Sequence, residues 1–424
     1  MIRFNPPAGE PDAAPIESAR EQHIAPVPRI SIQAFCESPE TMAAMQASCE
    51  DRRMTKAHLK IQMGGVAAAV EAYRTSPTPN VIIIESQSRG DDLLAGLDTL
   101  ADVCDGGTRV IVVGKLNDII LYRELVRRGV SDYLMAPVGA LDVIRSVSGL
   151  FSAADAKPVG RTIAIVGAKG GVGASTVAHN VAWAIARDLL LDSVVADLDL
   201  PFGTAGLDYN QDPPQGIADA VFSPERIDSG FVDRLLSKCT DHLSLLAAPA
   251  TLERAYDFAP EAFDGILDIL RTSVPCIVLD VPHIWTGWAK RAMVSADDIL
   301  IVAAPDLANL RNAKNLIDLL RAARPNDRHP YYCLNQVGVP KRPELKPADF
   351  AKALEAEPTA IIAFEPQVFG TAANNGQMIA EVAANHRATD TFRQLAQLVT
   401  GRAEVKRTRT NLLSPFIQKL KRRA

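Results

Sequence analysis

Two spacings of apolar residues alternate along most of the chain. Short uninterrupted apolar runs, rich in Val and Ile, are followed by longer stretches in which apolar positions recur at helical intervals. An uninterrupted run reads as a strand buried on both faces, and the helical interval reads as a helix with one buried face. Between residues 28 and 150, runs at 30–35, 59–63, 80–85, 108–114 and 132–137 predict five strands. Helical stretches around 66–73, 93–103 and 124–128 separate them, which predicts an α/β domain with a doubly wound parallel sheet of flavodoxin type. Residues 161–401 predict a second doubly wound α/β domain. It has apolar strands at 161–166, 193–201, 276–280 and 331–334 and helical stretches at 176–186 and 217–222.

The borders lie where the pattern lapses. The first 27 residues, rich in Pro, Ala and Glu, show no periodicity and read as a disordered lead-in. Small residues from Ser152 to Ala154, then Pro158 and Gly160, mark residues 151–160 as a linker. Two domains also suit the length, since 424 residues exceed the ~250 to 300 that one core usually serves.

Composition narrows the function. A net charge of −5 argues against indiscriminate nucleic-acid binding. The six cysteines, at positions 36, 49, 104, 239, 276 and 333, form no CxxC pair. Zinc and iron–sulfur sites therefore lack their usual spacing, and buried thiols are expected. No segment approaches the ~18 continuous apolar residues of a membrane span, and the N-terminus lacks the apolar core of a signal peptide. A cytoplasmic protein is expected. The tail, residues 402–424, differs from the rest: eight basic residues face the single acid Glu404. Leu412, Leu413, Phe416, Ile417 and Leu420 share one face of a helix in which Pro415 suits a first turn. Such a segment can lie on an anionic bilayer at about 1 kcal/mol per basic residue. A solvated tail, or a helix docked on protein, is the alternative.

The densest chemistry lies in Gly167-Ala168-Lys169-Gly170-Gly171-Val172-Gly173-Ala174-Ser175-Thr176. It approaches the phosphate-binding loop pattern, in which a lysine stands at the place of Ala174 and reaches the β/γ-phosphates. A strand precedes this loop and a helix follows it, as the motif requires. Glycines let backbone N–H groups converge on phosphate oxygens, and the helix N-terminus adds partial positive charge there. Two further strands end in acids: one in Asp197 and Asp199, both expected to face the phosphates, and one in Asp280. The carboxyl ends of strands are where an open α/β sheet places its chemistry.

Lys169 ahead of the glycines, the two acidic strands and the later run Ala372-Ala373-Asn374-Asn375-Gly376 resemble the ParA/MinD family of deviant Walker ATPases. The resemblance covers about residues 158–401. Within the family, Ala174 and the run from Asp199 through Pro201-Phe202-Gly203 to Asp208 resemble the CpaE/TadZ branch, whose members act in assembly of Flp (tight-adherence) pili. The resemblance implies ATP and Mg²⁺ as cofactors and an ATP-dependent homodimer, with Lys169 reaching across to the partner's nucleotide. It implies that Asp199 polarises the attacking water. Gly170, Gly171, Val172, Gly173, Ala174, Ser175, Thr176, Asn335 and Pro366 would hold the nucleotide, with Asn335 at the adenine. Ser175 would ligate Mg²⁺ directly and Asp280 through water. Residues 211–216 resemble the family's switch region, with a surface loop that does not switch as the alternative, and Asn374, Asn375 and Gly376 either touch the nucleotide or interface or form a helix-capping turn.

Loss of the lysine at Ala174 would cost about 1.5 to 3 kcal/mol, or one to two decades of affinity. Transition-state charge is harder to replace, so ATP binding with slow hydrolysis is expected. The N-terminal domain resembles a response-regulator receiver whose chemistry is lost. Glu85 and Ser86 follow the third strand, Gly114 replaces the hydroxyl after the fourth, and Ala136 replaces the lysine before Pro137. Glu85 is either a mimic of a phosphorylated state or a plain strand-end acid, and a protein-docking role is expected. The favoured function is a nucleotide-controlled organiser of pilus-secretion components at the membrane or pole. Alternatives are a scaffold that binds nucleotide without turnover and, less favoured, a DNA-partitioning ATPase. Metal-cluster carriers are disfavoured by the missing CxxC.

Overall fold

The apolar runs build two separate parallel sheets. The computed structural model describes residues 24–88, 90–151 and 159–402, and the chain divides into two units, Met1–Ala156 and Lys157–Ala424. Most of the predicted lead-in, most of the linker and all but the first residue of the basic tail lie outside the described residues. Val27, within the span read as lead-in, is fully buried, and its N–H donates to Arg53 O at 2.8 Å.

In the first unit the strands are β1 (Ser31–Cys36), β2 (His58–Met63), β3 (Val81–Ser86), β4 (Arg109–Gly114) and β5 (Asp132–Met135). Their order is β2-β1-β3-β4-β5, all pairs parallel, the flavodoxin-like winding. β3 shows why the runs are continuous: Val81 and Ile83 enter one core with Ile32 and Ile111, while Ile82 and Ile84 enter the other with Phe35 and Leu125. Helix Pro39–Cys49 was not legible as an apolar stripe, yet Ser38 caps it by accepting from Thr41 N, with Pro39 in its first turn. Helix Ala140–Phe151 was also absent from the predicted elements.

The second unit has β6 (Arg161–Gly167), β7 (Ser193–Asp197), β8 (Ser237–Lys238), β9 (Leu243–Leu246), β10 (Cys276–Val281), β11 (Asp298–Ala303), β12 (Tyr331–Val337) and β13 (Ala360–Ala363). Their order is β13-β12-β11-β6-β10-β7-β9-β8, parallel except at the β8/β9 edge. β6 is central. Ile163 and Ile165 pack on Val177, Val181 and Ile185 of helix Ala174–Asp188, and Ala164 and Val166 join the opposite core with Ile266 and Ile317. The strand expected over 193–201 stops at Asp197. The loops that leave the carboxyl ends of β6, β7, β10, β11, β12 and β13 therefore gather along one edge of the sheet, where such folds bind ligands.

Candidate functional site

The loop between β6 and helix Ala174–Asp188 is shaped by Gly171 and Gly173, at φ 80° and 81°, a left-handed conformation that favours glycine. A Cβ on Gly173 would stand 2.6 Å from Asn335 Nδ2. Side chains from distant segments hold the loop's carbonyls. His283 Nδ1–H donates to Gly167 O and Asn312 Nδ2 to Ala168 O, both at 2.9 Å. Gln336 Nε2 donates to Gly171 O at 3.0 Å and Asn335 Nδ2 to Val172 O at 2.8 Å. Four of the loop's carbonyls are thus occupied. Among the described residues, no acceptor meets the N–H groups of Lys169 to Thr176. A row of unspent donors at a helix N-terminus is an anion site.

Two clefts border this loop. One, of about 470 Å³, is lined by Lys169, Gly170, Gly171, Val172, Gly173, Ala174 and Ser175 on the loop and by Asp199 across from it. The other, of about 260 Å³, is lined by Gly173, Thr176, Asn335 and Pro366. Together they fall within the ~300 to 1,000 Å³ of small-ligand sites. Lys169 is exposed and has no ion-pair partner among the described residues. The Ala174 methyl lies 3.5 Å from the point where a Cβ on Gly167 would sit, so it faces into the loop. Pro366 opens helix Pro366–Asn375, which ends on Gly376 in the left-handed region. Asn374, Asn375 and Gly376 line neither cleft and form the helix-capping turn.

The acids part company. Asp197 does not face the loop as expected: it is 1% exposed, and its two oxygens accept from the N–H groups of Asp199 and Ala205, each at 3.1 Å. It therefore holds the turn that carries Asp199. Burial, then the charge of Asp280, pushes the Asp197 pKa up. Asp199 is half-buried in the larger cleft, and burial raises its pKa as well. Asp280, next to last in β10, is 3% exposed and lines neither cleft. Its Oδ2 lies 3.4 Å from His179 Nε2. His179 is fully buried, and its Nδ1 lies 2.6 Å from Asp208 Oδ2. Burial works against its imidazolium, but the bond to Asp208 and the nearby carboxylate of Asp280 outweigh burial and push its pKa up to about 10. No group of three or more His, Cys, Asp or Glu forms a metal cage among the described residues, so a cation here would depend on phosphate oxygens and the loop hydroxyl for its ligands. His179, His283, Asn312 and Gln336 had no local signal in the sequence, and Asp208 entered there only as the end of the run from Asp199.

No protein-family model matches the chain. In its N-terminal part it is 50% identical to the pilus assembly protein CpaE from Caulobacter crescentus, over 30% of this chain and 98% of that one, with a TM-score of 0.29. It is 28% identical over 163 residues to the septum site-determining protein MinD of Synechocystis, spanning 38% of this chain and 60% of that relative. The structure of a ParA family ATPase from Chlorobium tepidum matches 56% of this chain and 98% of its own at 24% identity, with a TM-score of 0.51. The last likeness gives the fold. The solved neighbours thus pair CpaE pilus assembly proteins, in the N-terminal part, with ParA/MinD ATPases, the combination expected of the CpaE branch of the ParA/MinD fold.

Proposed function

We propose that the chain binds ATP with Mg²⁺ at the loop 167–176 and uses the bound state, with slow hydrolysis, to organise Flp (Tad) pilus assembly at the cytoplasmic membrane or a cell pole. The observation that carries the reading is the loop itself: its carbonyls are held by four side chains while its N–H groups from Lys169 to Thr176 remain free to receive phosphate oxygens. Gly170, Gly171, Val172, Gly173 and Ala174 present those donors, and Thr176, Asn335 and Pro366 border the nucleoside. Ser175 would hold Mg²⁺ directly and Asp280 through water, where the cation neutralises phosphate charge. Asp199 orients the attacking water, and Lys169 supplies charge to the nucleotide of a second copy. Similarity to a pilus assembly protein supports pilus-secretion components as partners. The basic tail, residues 402–424, is proposed as a peripheral membrane contact. DNA partitioning gains no support from a chain of net charge −5.

The methyl of Ala174 favours a second reading, a scaffold that binds ATP and never turns it over. ATP affinity and phosphate release, measured on the native chain beside Ala174→Lys and Lys169→Ala, decide between them. Ala174→Lys is expected to tighten ATP by one to two decades, about 1.5 to 3 kcal/mol. Lys169→Ala is expected to abolish the slow turnover. Native ATP binding without any phosphate release selects the scaffold, and no ATP binding at all removes both readings.

A further inference from the structure

His179 joins two acids that the fold brings from different elements. It lies on the helix that follows the glycine loop, 0% exposed, among the buried apolar residues Ala178, Val181 and Ala182. An imidazole buried at such a place is costly unless its ring nitrogens are paired. The pairing is unequal. Nδ1 makes a short bond of 2.6 Å to Asp208 Oδ2. Nε2 stands 3.4 Å from Asp280 Oδ2, within ion-pair range but without hydrogen-bond geometry, so this buried nitrogen has no bonded partner.

The two acids belong to different parts of the candidate site. Asp280 is next to last in β10. Asp208 closes the short helix Ala205–Asp208, at the far end of the segment that begins with Asp199. Buried groups hold that segment at both ends. Asp197 accepts the N–H groups of Asp199 and Ala205. At the other end Asp208 bonds the His179 ring, and the Tyr209 hydroxyl donates to His179 O at 2.8 Å. Phe202 and Leu207, at 68% and 73% exposure, reach solvent from within this segment, while Leu200 and Ala205 are buried.

We propose that His179 is a positioning residue that couples the state of Asp280 to the segment 199–209. A cation drawn to Asp280 competes with His179 for the same carboxylate, because charge shared with one partner is withdrawn from the other. The loosely held Nε2 is the side that yields. The ring then leans on Asp208 alone, which tightens the segment bearing Asp199. In the absence of the cation, Asp280 draws the ring back and the segment relaxes. This inference rests on Mg²⁺ binding with ATP as proposed above, and it adds the route by which the cation's presence reaches Asp199.

The test is amide hydrogen exchange across residues 199–209 of the full-length chain, with ATP in EDTA and with ATP and Mg²⁺, alongside equilibrium ATP binding. In the native chain Mg²⁺ is expected to slow exchange of this segment by about fivefold or more beyond ATP alone, the lower end of ordinary allosteric coupling. In His179→Gln, and in the milder Asp208→Asn, the Mg²⁺ increment should vanish while ATP still binds. An unchanged increment in either variant overturns the inference alone. Failure of the native chain to bind ATP overturns the earlier reading and this one with it. Selective ¹⁵N-histidine spectra of the native chain need no variant to fold. The His179 ring signals are expected to move when Mg²⁺ joins bound ATP, and stationary signals refute the coupling.

Discussion

Glu85 occupies the strand end where a receiver carries its phosphorylated aspartate, and its carboxylate is already engaged. One oxygen accepts the N–H groups of Glu37 and Ser38 at 2.7 and 2.8 Å, and the other accepts the Ser38 hydroxyl at 2.6 Å. Burial alone would raise its pKa, but these bonds outweigh burial and hold the carboxyl below its ordinary value of 4.5. Of the two readings open in the sequence, the side chain is the strand-end acid, turned inward to cap a helix. A group whose pKa is depressed by folding contributes stability above its unfolded pKa and loses it as pH falls through the folded one. Glu85→Gln is therefore expected to lower the unfolding free energy of the first unit by about 1.5 to 3 kcal/mol at neutral pH. Urea titrations at decreasing pH should show native and variant converging below pH 4.5; a constant gap would refute the assignment. Gly173 gives a second prediction at this scale. Gly173→Ala meets both a positive φ and the Asn335 amide, so strain of about 1 to 3 kcal/mol is expected. ATP binding should fall below detection by calorimetry, while native-like affinity would contradict the loop geometry.

At the scale of elements, the same loop depends on partners that its own sequence does not name. The four side chains bonded to its carbonyls lie between 116 and 165 residues away in sequence. The glycine motif was legible because its chemistry is local, and its supports were not, because they are set by packing of the whole sheet. The strands show the same division. Runs buried on both faces, such as β3 and β6, were visible as uninterrupted apolar stretches. A strand-end carboxylate marks β7 and β10 in the sequence but not β11, whose acids Asp297 and Asp298 stand at its start and pair with Arg271 and Arg161. Asp197 was misjudged because a strand-end acid looks alike whether it faces a ligand or ties down a turn. His283 offers the cleanest test of the supports, being surface-accessible and bonded to the loop through one nitrogen. His283→Ala is expected to leave thermal unfolding nearly unchanged and to weaken ATP binding by about 1 kcal/mol, roughly fivefold. Equal affinity would mean that the loop holds its shape without this bond.

For the whole molecule, the larger cleft carries apolar surface that a single copy leaves in water. Phe202 is 68%, Ile284 47% and Trp285 54% exposed, and the first two line the cleft beside Lys169. Exposed apolar groups gathered at one place favour an interface, in keeping with the proposed ATP-dependent homodimer. Light scattering behind size exclusion is expected to show the mass doubling when ATP and Mg²⁺ are added, and Phe202→Asp should prevent it while ATP still binds. A mass that never changes would count against the dimer. The bonded carbonyls of the loop also bear on time. A loop already shaped before its ligand arrives has little ordering left to do, so capture of nucleotide should follow one fast phase proportional to ATP concentration. Any slow phase then belongs to the meeting of two copies and should quicken as the protein, not the nucleotide, becomes more concentrated. A protein built in this way would respond chiefly to its own local abundance.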